Sequence, residues 1–233
     1  MTRCVKSRAI ETMSQALRQQ DNNALAMSSL DSFYKTYDTR TTKVVVKNRT
    51  FRFLTPSSID RFVDPDDLFR NFPLWSKVWE ASIVLGDFLA GMKPEPGKQI
   101  LEIGCGLGVV GIIASYFGHR VTMTEYNADS LNFAHANSRL NALSPGSNPQ
   151  IVALDWNRPQ MDGFFDYVVG SEVIYKEKNY QPLVRLFTKY LRPGGEIILA
   201  EGIRKTSVEF FRQAERSYHL KAYQKTCLLY TSP

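Results

Sequence analysis

Residues 100–108 read Ile100-Leu101-Glu102-Ile103-Gly104-Cys105-Gly106-Leu107-Gly108. The first four residues are typical of a buried strand, and the glycines after them let the backbone turn and approach a ligand without a Cβ in the way. The apolar residues from Val109 onwards predict a helix, whose first N–H groups have no partner within the helix. The stretch therefore predicts a strand, a glycine loop and a helix that together hold a small molecule.

The segments around this stretch alternate between two patterns. Helical spacing of apolar residues covers 75–92, 109–117, 129–141, 179–191 and 206–217. Short apolar runs, which predict strands, cover 99–103, 120–125, 150–154, 167–171, 196–201 and 220–226. Buried strands that alternate with helices indicate a parallel sheet covered on both faces. The predicted fold is α/β: a Rossmann-like, doubly wound, mostly parallel sheet in three α/β/α layers.

Residues 1–71 follow a different pattern and are predicted to form an N-terminal helical and β-hairpin extension. Residues 8–37 indicate one or two helices, and 42–54 alternate as in a hairpin with a turn near Asn48. Residues 72–226 make up the predicted α/β domain. Residues 227–233 resemble the translation of a sequencing-library adapter and are interpreted as a non-native tail.

The positive charge of the chain is concentrated in the extension. The net charge is +6, and residues 1–52 carry ten Lys or Arg against four Asp or Glu. Two interpretations stay open: a solvated extension, or an arm that docks an acidic partner. The aromatic residues among these charges also fit the apolar face of a hairpin, so they are weak evidence for nucleic acid.

Composition argues against several classes of protein. No apolar run reaches the roughly 18 residues of a membrane span, and residues 1–21 lack the continuous apolar segment of a signal peptide. Cys4, Cys105 and Cys227 are far apart, so they suggest neither a metal site nor a disulfide framework. We expect a cytoplasmic monomer that uses no metal and no membrane.

The glycine loop alone does not decide which ligand is bound. Read from Gly106, the string Gly106-x-Gly108-x-x-Gly111 matches the dinucleotide fingerprint, which keeps an NAD-binding oxidoreductase as an alternative. Read from Gly104, the loop is preceded by Glu102. That carboxylate would repel a pyrophosphate, whereas it could hold the ammonium of a methionine moiety.

Later segments favour the second reading. Asp155 and Trp156 follow the third predicted strand and offer an acceptor and an aromatic wall for an adenine. Residues 193–195, Pro-Gly-Gly, predict a turn before a late strand. Glu125 lies 21 residues after Gly104 and suits ribose hydroxyls in either reading, so it does not discriminate.

Four segments in a fixed order resemble a known family. They read VWEASIVL at 78–85, LEIGCGLG at 101–108, ALDW at 153–156 and SEVIY at 171–175. Over about residues 72–220 the chain is similar to the seven-β-strand S-adenosylmethionine-dependent methyltransferases, and within them to the family 16 protein lysine methyltransferases. The resemblance implies methyl transfer from S-adenosylmethionine to the side chain of a lysine on another protein.

Site residues are predicted by this resemblance together with the strand-end acids. The cofactor-binding residues are Trp79, Glu102, Gly104, Gly106, Glu125, Asp155, Trp156 and Ser171. The acid-x-x-aromatic motif after the fourth strand places the catalytic residues Glu172 and Tyr175 at the substrate channel.

Attack on the cofactor requires a neutral lysine amine in line with the transferred methyl. A free lysine has a pKa of about 10.4, and a channel that removes water lowers that pKa. The positive charge of the cofactor acts in the same direction. We therefore hypothesise that Glu172 and Tyr175 orient the amine and that its proton leaves through water or Glu172.

Other functions remain compatible with the sequence. The same fold carries small-molecule and RNA methyltransferases, and a cofactor-binding adaptor without catalysis is a further alternative. An Asn/Asp-Pro-Pro-aromatic motif is absent, which argues against adenine in DNA or glutamine as the acceptor. The NAD alternative lacks an obvious catalytic pair, because His119 precedes the second strand and so lies at the wrong end of the sheet.

Overall fold

The computed structural model of the chain describes residues 29–67, 72–141 and 148–225. Its regular elements, in chain order, are α1 (Leu30–Thr36), β1 (Thr39–Val46), β2 (Arg49–Pro56), α2 (Glu80–Gly91), β3 (Gln99–Ile103), α3 (Val109–Tyr116), β4 (Arg120–Glu125), α4 (Ala128–Leu140), β5 (Gln150–Ala153), β6 (Phe165–Ser171), α5 (Tyr180–Tyr190), β7 (Leu191–Ala200) and α6 (Lys205–Ala214). Short 3-10 turns lie at Asp60–Phe62, Leu74–Ser76 and Glu177–Asn179. The helix expected within 8–28 and the tail 227–233 lie outside the described residues.

The central sheet has five strands in the order β5-β4-β3-β6-β7, and all four neighbouring pairs are parallel. Chain order runs outward from β3 to β5 on one side and then returns to the other side of β3 with β6. The order therefore reverses between β3 and β6, and ligands of open α/β sheets bind outside the carboxyl ends of the strands at such a point. The predicted Rossmann-like α/β fold is confirmed.

Helices cover both faces of this sheet because its central strands β3 and β6 bury side chains on both faces. One core cluster joins α2, α3 and α4 through residues such as Leu85, Ile112 and Phe133, all at most 2% exposed. The second cluster lies on the opposite face and joins α5 to α6 through Leu183 and Phe210. The layer order α/β/α follows from these two clusters.

The hairpin β1–β2 packs on the outside of the first helical layer. Its inward side chains Val44, Val46, Phe51 and Phe53 belong to the same core cluster as α2–α4. Two residues with left-handed backbone, Lys47 (φ 46°) and Asn48 (φ 63°), form the two-residue turn, as expected for a hairpin whose strands twist together. The predicted hairpin and its turn agree with the structure, with strands longer than predicted.

Asparagines on α4 fasten the hairpin by its backbone. Asn137 Oδ1 accepts the N–H of Leu54 at 2.6 Å, and Asn137 Nδ2 donates to the carbonyls of Leu54 and Leu107 at 3.2 and 3.0 Å. One turn later, Asn141 exchanges two bonds with the backbone of Arg52 at 3.0 and 2.8 Å. The extension thus docks on the helix that follows β4.

The segment before the hairpin is tied to the same helix. Tyr37 donates its hydroxyl to Asp129 at 2.6 Å and accepts from Asn132 at 3.0 Å. Burial and the bond to Asp129 raise the pKa of Tyr37 to about 12. Arg61 stacks over the Tyr37 ring at 4.8 Å.

The division of the chain into 1–71, 72–226 and 227–233 stays a prediction.

Two expectations about secondary structure are wrong. Residues 220–225 form no strand; Leu220 is 40% exposed and Tyr223 is 85% exposed, so a strand here would bury no apolar face. The Pro-Gly-Gly segment 193–195 does not precede the last strand but lies within β7. There Gly194 adopts a φ of 78°, next to a register shift opposite Phe165 and Tyr167.

Among the described residues, no helix combines the length and the apolar composition that crossing a membrane requires. The same residues contain no group of three or more His, Cys, Asp or Glu arranged to hold a metal ion.

Candidate cofactor and acceptor site

The glycine loop leaves β3 at the point where the sheet order reverses. Gly104, Gly106 and Gly108 have φ angles of 61°, 54° and 84°, which lie in the left-handed region that side chains with a Cβ disfavour. Gly108 is also the N-cap of α3. The loop curls back on itself through a 2.8 Å bond from Gly108 N–H to the Cys105 carbonyl. The α3 N–H groups thus point toward the carboxyl edge of the sheet.

Aromatic and apolar side chains flank this loop closely. A Cβ on Gly104 would lie 3.0 Å from Trp156 Cζ2 and 3.3 Å from Val173 Cγ1. A Cβ on Gly106 would lie 3.7 Å from Trp75. Trp156 comes from the end of β5 and Val173 from the end of β6. The structure therefore brings three of the motif segments together at one edge of the sheet.

Glu125 ends β4 beside the loop and is half-buried. Its Oε2 accepts the Gly106 N–H at 3.1 Å, and its Oε1 accepts the N–H groups of Tyr126 and Asn127 at 2.7 and 3.0 Å. Burial raises the pKa of Glu125, while these three N–H donors act in the opposite direction. A carboxylate fixed in this way is a rigid hydrogen-bond acceptor, as the ribose-binding prediction requires.

Glu102 is placed differently from the expectation that it binds an ammonium group. It is 1% exposed and lies beneath the first turn of α3, where a Cβ on Gly111 would stand 2.5 Å from its Oε2. Its Oε2 has no hydrogen-bond partner. Burial raises its pKa to about 8. In this geometry the side chain packs beneath α3, and its ammonium-binding role stays a prediction.

A tryptophan that the sequence motif did not include lies beside the loop, in addition to the predicted Trp79. Trp79 is the N-cap of α2; its Nε1 donates to the Leu74 carbonyl at 2.6 Å, and Lys77 Nζ stands 4.3 Å from its ring. Trp75, four residues earlier, faces Gly106 and packs on Phe133 with ring centroids 5.4 Å apart. Sequence reasoning missed Trp75, although both residues lie in the segment that enters α2.

Asp155 and Ser171 lie at the same edge of the sheet. Asp155 Oδ1 accepts the backbone and side-chain N–H groups of Asn157 at 2.8 and 3.1 Å, which fixes the turn that carries Trp156. Ser171 is the last residue of β6, next to β3, and is partly exposed. Tyr126, directly after Glu125, is 67% exposed at this edge. It was not among the predicted site residues.

Glu172 follows β6 with an unusual backbone. Its φ is 54°, one of three positive values at non-glycine residues in the described chain. Its Oε1 accepts the Gly202 N–H at 3.1 Å, and its Oε2 pairs with the Arg204 guanidinium. Both carboxylate oxygens therefore have partners in the protein.

Tyr175 is partly exposed three residues after Glu172. Burial raises the pKa of its hydroxyl, and a hydrogen bond with Asn179 acts in the opposite direction. The structure thus places Glu172 and Tyr175 on one loop at the cofactor edge, as expected. It adds Arg204 as a partner of Glu172, which the sequence did not indicate.

Glu201 is a further acid at this edge that the sequence analysis did not select. It follows β7, and its Oε1 accepts the N–H groups of Val173 and Ile174 at 2.8 and 3.1 Å. Its Oε2 is buried without a hydrogen-bond partner. Burial raises its pKa to about 7. Like Glu125 it ends a predicted strand, but it lies in none of the four segments that carry the family resemblance.

The donors and walls of the site fit S-adenosylmethionine. The loop supplies backbone N–H groups without Cβ atoms, Glu125 supplies an acceptor for hydroxyls, and Trp156 and Trp75 supply aromatic surface. The NAD alternative gains nothing from His119, which is buried and bonds the Leu89 carbonyl at 2.9 Å.

Comparison with known proteins agrees with this geometry. A family model described as lysine methyltransferase matches residues 73–217. EEF1A lysine methyltransferase 3 of Mus musculus is 30% identical over 156 residues, which cover 64% of this chain and 66% of that protein. Protein N-lysine methyltransferase METTL21A of Mus musculus is 30% identical over 64% of this chain and 71% of its own length. The chain thus spans about two thirds of the length of these relatives.

Other relatives show the breadth of the group. The histidine protein methyltransferase 1 homolog of Dictyostelium discoideum is 30% identical over 60% of this chain and 47% of its own length. Among solved structures, the Thermus thermophilus 16S rRNA N2 G1207 methyltransferase, in complex with AdoMet and guanosine, aligns with a TM-score of 0.50 and 19% identity. That alignment covers 69% of this chain and 41% of the other, and it shows the shared fold.

The family model spans more than half of the chain and includes the glycine loop, the ALDW segment and the acid-x-x-aromatic motif. The resemblance inferred from the sequence is confirmed, and the chain belongs to the lysine methyltransferase family.

Proposed function

We propose that this protein is an S-adenosylmethionine-dependent protein lysine N-methyltransferase. The observation that carries the proposal is the meeting of the glycine loop with the acid-x-x-aromatic loop, since Val173 lies within contact distance of a Cβ placed on Gly104. The proposed cofactor site and the proposed acceptor site therefore lie next to each other. The names of the relatives support lysine as the acceptor.

Residues at the carboxyl edge would hold the cofactor. Gly104 and Gly106 would let it approach the backbone, Glu125 would accept its ribose hydroxyls, and Trp156 would offer aromatic surface. Asp155 and Ser171 would line the same pocket, and Trp79 and Glu102 remain proposed binding residues. The bound cofactor supplies an activated methyl group, so the protein needs to provide only a neutral, aligned amine.

The loop after β6 would receive the lysine. Tyr175 and Glu172 would orient its amine, and Arg204 pairs with the Glu172 carboxylate. The positive charge of the cofactor and the removal of water would both favour the neutral amine over the ammonium ion. The proton of the lysine would leave through water or Glu172.

The hairpin would contribute to recognition of an acidic protein partner. Residues 39–56 contain five Lys or Arg and no Asp or Glu. All five are exposed: Arg40, Lys43, Lys47, Arg49 and Arg52. An acidic region on the substrate protein would be attracted by this surface. We further propose that the protein acts as a monomer and that it is located in the cytoplasm. The cytoplasmic location is inferred from the cysteine content.

Isothermal titration with S-adenosylhomocysteine, with NAD as the comparison ligand, tests the cofactor class. We expect S-adenosylhomocysteine to bind with a Kd on the order of micromolar and NAD not to bind. Tritiated methyl transfer to proteins of a cell lysate would follow, and amino-acid analysis of the labelled product separates methyl-lysine from methyl-histidine. Binding of NAD instead would overturn the proposal.

Two variants test the acceptor loop in the same assay. We expect Glu172→Ala and Tyr175→Phe to bind S-adenosylhomocysteine like the unmodified protein and to transfer the label about tenfold or more slowly, because they leave the cofactor residues intact. If both variants transferred the label at the normal rate, the roles of Glu172 and Tyr175 would be wrong.

A further inference from the structure

The ends of β6 and β7 are joined by two acids in a reciprocal way. Glu172 follows β6 and accepts the N–H of Gly202, which lies after β7, at 3.1 Å. Glu201 follows β7 and accepts the N–H groups of Val173 and Ile174, which lie after β6, at 2.8 and 3.1 Å. Each carboxyl group therefore holds the backbone that follows the other strand.

The segment held by Glu201 has a backbone that needs external support. The φ of 54° at Glu172 lies in the left-handed region, which residues with a Cβ rarely adopt and which the surrounding structure has to maintain. The N–H of Glu172 donates to the Ala200 carbonyl at 3.0 Å. Glu201 then binds the next two N–H groups, so three consecutive amides of this segment are fixed by the end of β7.

The same segment touches the cofactor loop. A Cβ on Gly104 would lie 3.3 Å from Val173 Cγ1, and one on Gly170 would lie 3.2 Å from both methyl groups of Val173. Val173 is 2% exposed and Ile174 is fully buried. The bonds from Glu201 to these two residues therefore reach the backbone that sets the distance between Glu172 and the glycine loop.

We propose that Glu201 is a positioning residue of this enzyme, which holds the segment from Glu172 to Tyr175 against the glycine loop so that the acceptor amine is aligned. The proposal rests on the proposed function. Glu201 acts through the backbone of Val173 and Ile174, and it need not touch the substrate itself.

The charge state of Glu201 gives the proposal a measurable signature. Burial raises its pKa to about 7. The titratable and charged groups on the adjoining segments are Glu172, its partner Arg204, and Tyr175. Opening of the segment would expose Glu201 to water and return its pKa toward the ordinary value of 4.5. Opening is therefore favoured as the pH rises from about 4.5 through 7.

Amide hydrogen exchange of the peptide that contains residues 172–175 tests whether Glu201 holds this segment. It is measured in the full chain, and the rates are corrected for the pH dependence of intrinsic exchange. In the unmodified protein we expect protection to fall as the pH rises through about 7. Glu201→Gln should keep the protection and lose this dependence, because the amide oxygen accepts the same two N–H groups without a buried charge. Glu201→Ala should exchange about tenfold or more faster at this peptide.

Glu196→Ala is the matched control, since Glu196 lies on β7 as an exposed residue. We expect it to leave both exchange and methyl transfer unchanged. In the transfer assay, Glu201→Ala should lose about tenfold or more of the rate while its affinity for S-adenosylhomocysteine stays within about threefold. Glu201→Gln should transfer methyl groups at most of the rate of the unmodified protein, and this rate should depend less on pH around 7.

Three results would overturn the inference. Unchanged exchange in Glu201→Ala would show that the segment holds itself. Faster exchange throughout the chain would identify Glu201 as a residue for global stability. Normal methyl transfer in Glu201→Ala would show that the alignment does not depend on it. Failure of the unmodified protein to bind S-adenosylhomocysteine would instead remove the proposed function, and the exchange result would still decide whether Glu201 holds the segment.

Discussion

The Glu102 carboxyl lies under the first turn of α3, although the sequence places it two residues before the glycine loop at the end of a strand. A Cβ on Gly111 would stand 2.5 Å from Glu102 Oε2 and 2.4 Å from Met123 Cγ. A side chain other than glycine at position 111 would therefore displace the carboxyl or Met123. Glu102 and Gly111 form one packing unit beneath the loop.

Replacement of Glu102 by Gln should change how stability depends on pH. The pKa of Glu102 is raised by burial from 4.5 to about 8. The folded protein keeps a proton that the unfolded chain releases, so the free energy of unfolding falls as the pH rises from 4.5 through about 8. Glu102→Gln has no such proton. Urea unfolding at about pH 5.5 and 8.5 should show a smaller fall in this variant than in the unmodified protein.

The same variant separates two roles of the residue. If Glu102 supports the loop from below, its isosteric amide should keep the affinity for S-adenosylhomocysteine within about threefold. A much larger loss, with normal stability at about pH 6, would favour the ammonium-binding role. An equal fall of stability with pH in both proteins would contradict the burial of an ionisable carboxyl here.

Single residues of the site were predictable from the sequence where a motif fixes their place. The glycine loop, Glu125 and Trp156 meet as expected because parallel strands end at one edge. Trp75 and Glu201 were not predicted, because their contacts depend on how two separate segments pack. Neither residue lies in one of the four motif segments, and their contacts with the site follow only from the three-dimensional structure.

Helix α4 supports the hairpin as well as the cofactor edge. Its face toward β2 carries the fully buried Asn137, and Asn141 follows one turn later as the C-cap of the helix. The amide of Asn137 satisfies both backbone groups of Leu54 and the carbonyl of Leu107. Leu107 belongs to the glycine loop, so this side chain connects the extension to the site.

Asn137→Ala should destabilise the fold far more than Asn141→Ala. Removal of Asn137 leaves buried backbone groups without partners, which we expect to lower the free energy of unfolding by about 2–4 kcal/mol. Asn141 bonds the backbone of an exposed residue, where water can replace it, and its loss should cost about 1 kcal/mol or less. Urea unfolding of both variants measures the difference. Equal effects would show that the hairpin is not held through the buried amide.

The boundaries of elements were predictable where apolar periodicity and burial agree. The strands from 99 to 125 and helices α3 and α4 match within a few residues because they are buried on the face that the pattern indicates. The strand expected at 220–226 failed because its apolar residues are exposed. The prediction of a turn at 193–195 was wrong because β6 begins at Phe165, which already pairs with Leu191. Strand β7 therefore starts before the glycines and contains the register shift.

Over the whole molecule, the positive charge lies on the hairpin while the sheet edge carries acids. In the hairpin register Lys43 lies directly opposite Arg52, and both are exposed. Like charges at opposite positions of two strands destabilise the pair. The described ion pairs include Lys47 with Asp87 at 3.1 Å but none that joins an acid to Lys43 or Arg52. An acidic partner would remove this repulsion on docking.

Lys43→Glu should make the protein more stable and less active on its substrate. The new carboxylate would face Arg52, which we expect to raise the free energy of unfolding by about 0.2–1 kcal/mol. The same change removes positive charge from the proposed docking surface, so methyl transfer to acidic lysate proteins should slow while affinity for S-adenosylhomocysteine stays unchanged. Since surface attraction is screened by salt, the two proteins should transfer at similar rates in about 0.5 M salt.

Thr41→Glu provides a matched comparison, because Thr41 is exposed on the same strand and lies opposite the buried Leu54 instead of a cation. It adds one negative charge to the proposed docking surface, with Arg52 at the diagonal position and not directly opposite. If charge attracts the substrate, both variants should slow the transfer, and Lys43→Glu should gain more stability than Thr41→Glu because its new carboxylate faces Arg52 directly and a repulsion is removed. If both variants transferred methyl groups at the normal rate, the basic residues of the hairpin would serve only to keep this surface hydrated and would not attract the substrate. If the loss of transfer rate persisted at high salt, the hairpin would contact the substrate through shape complementarity and not through charge.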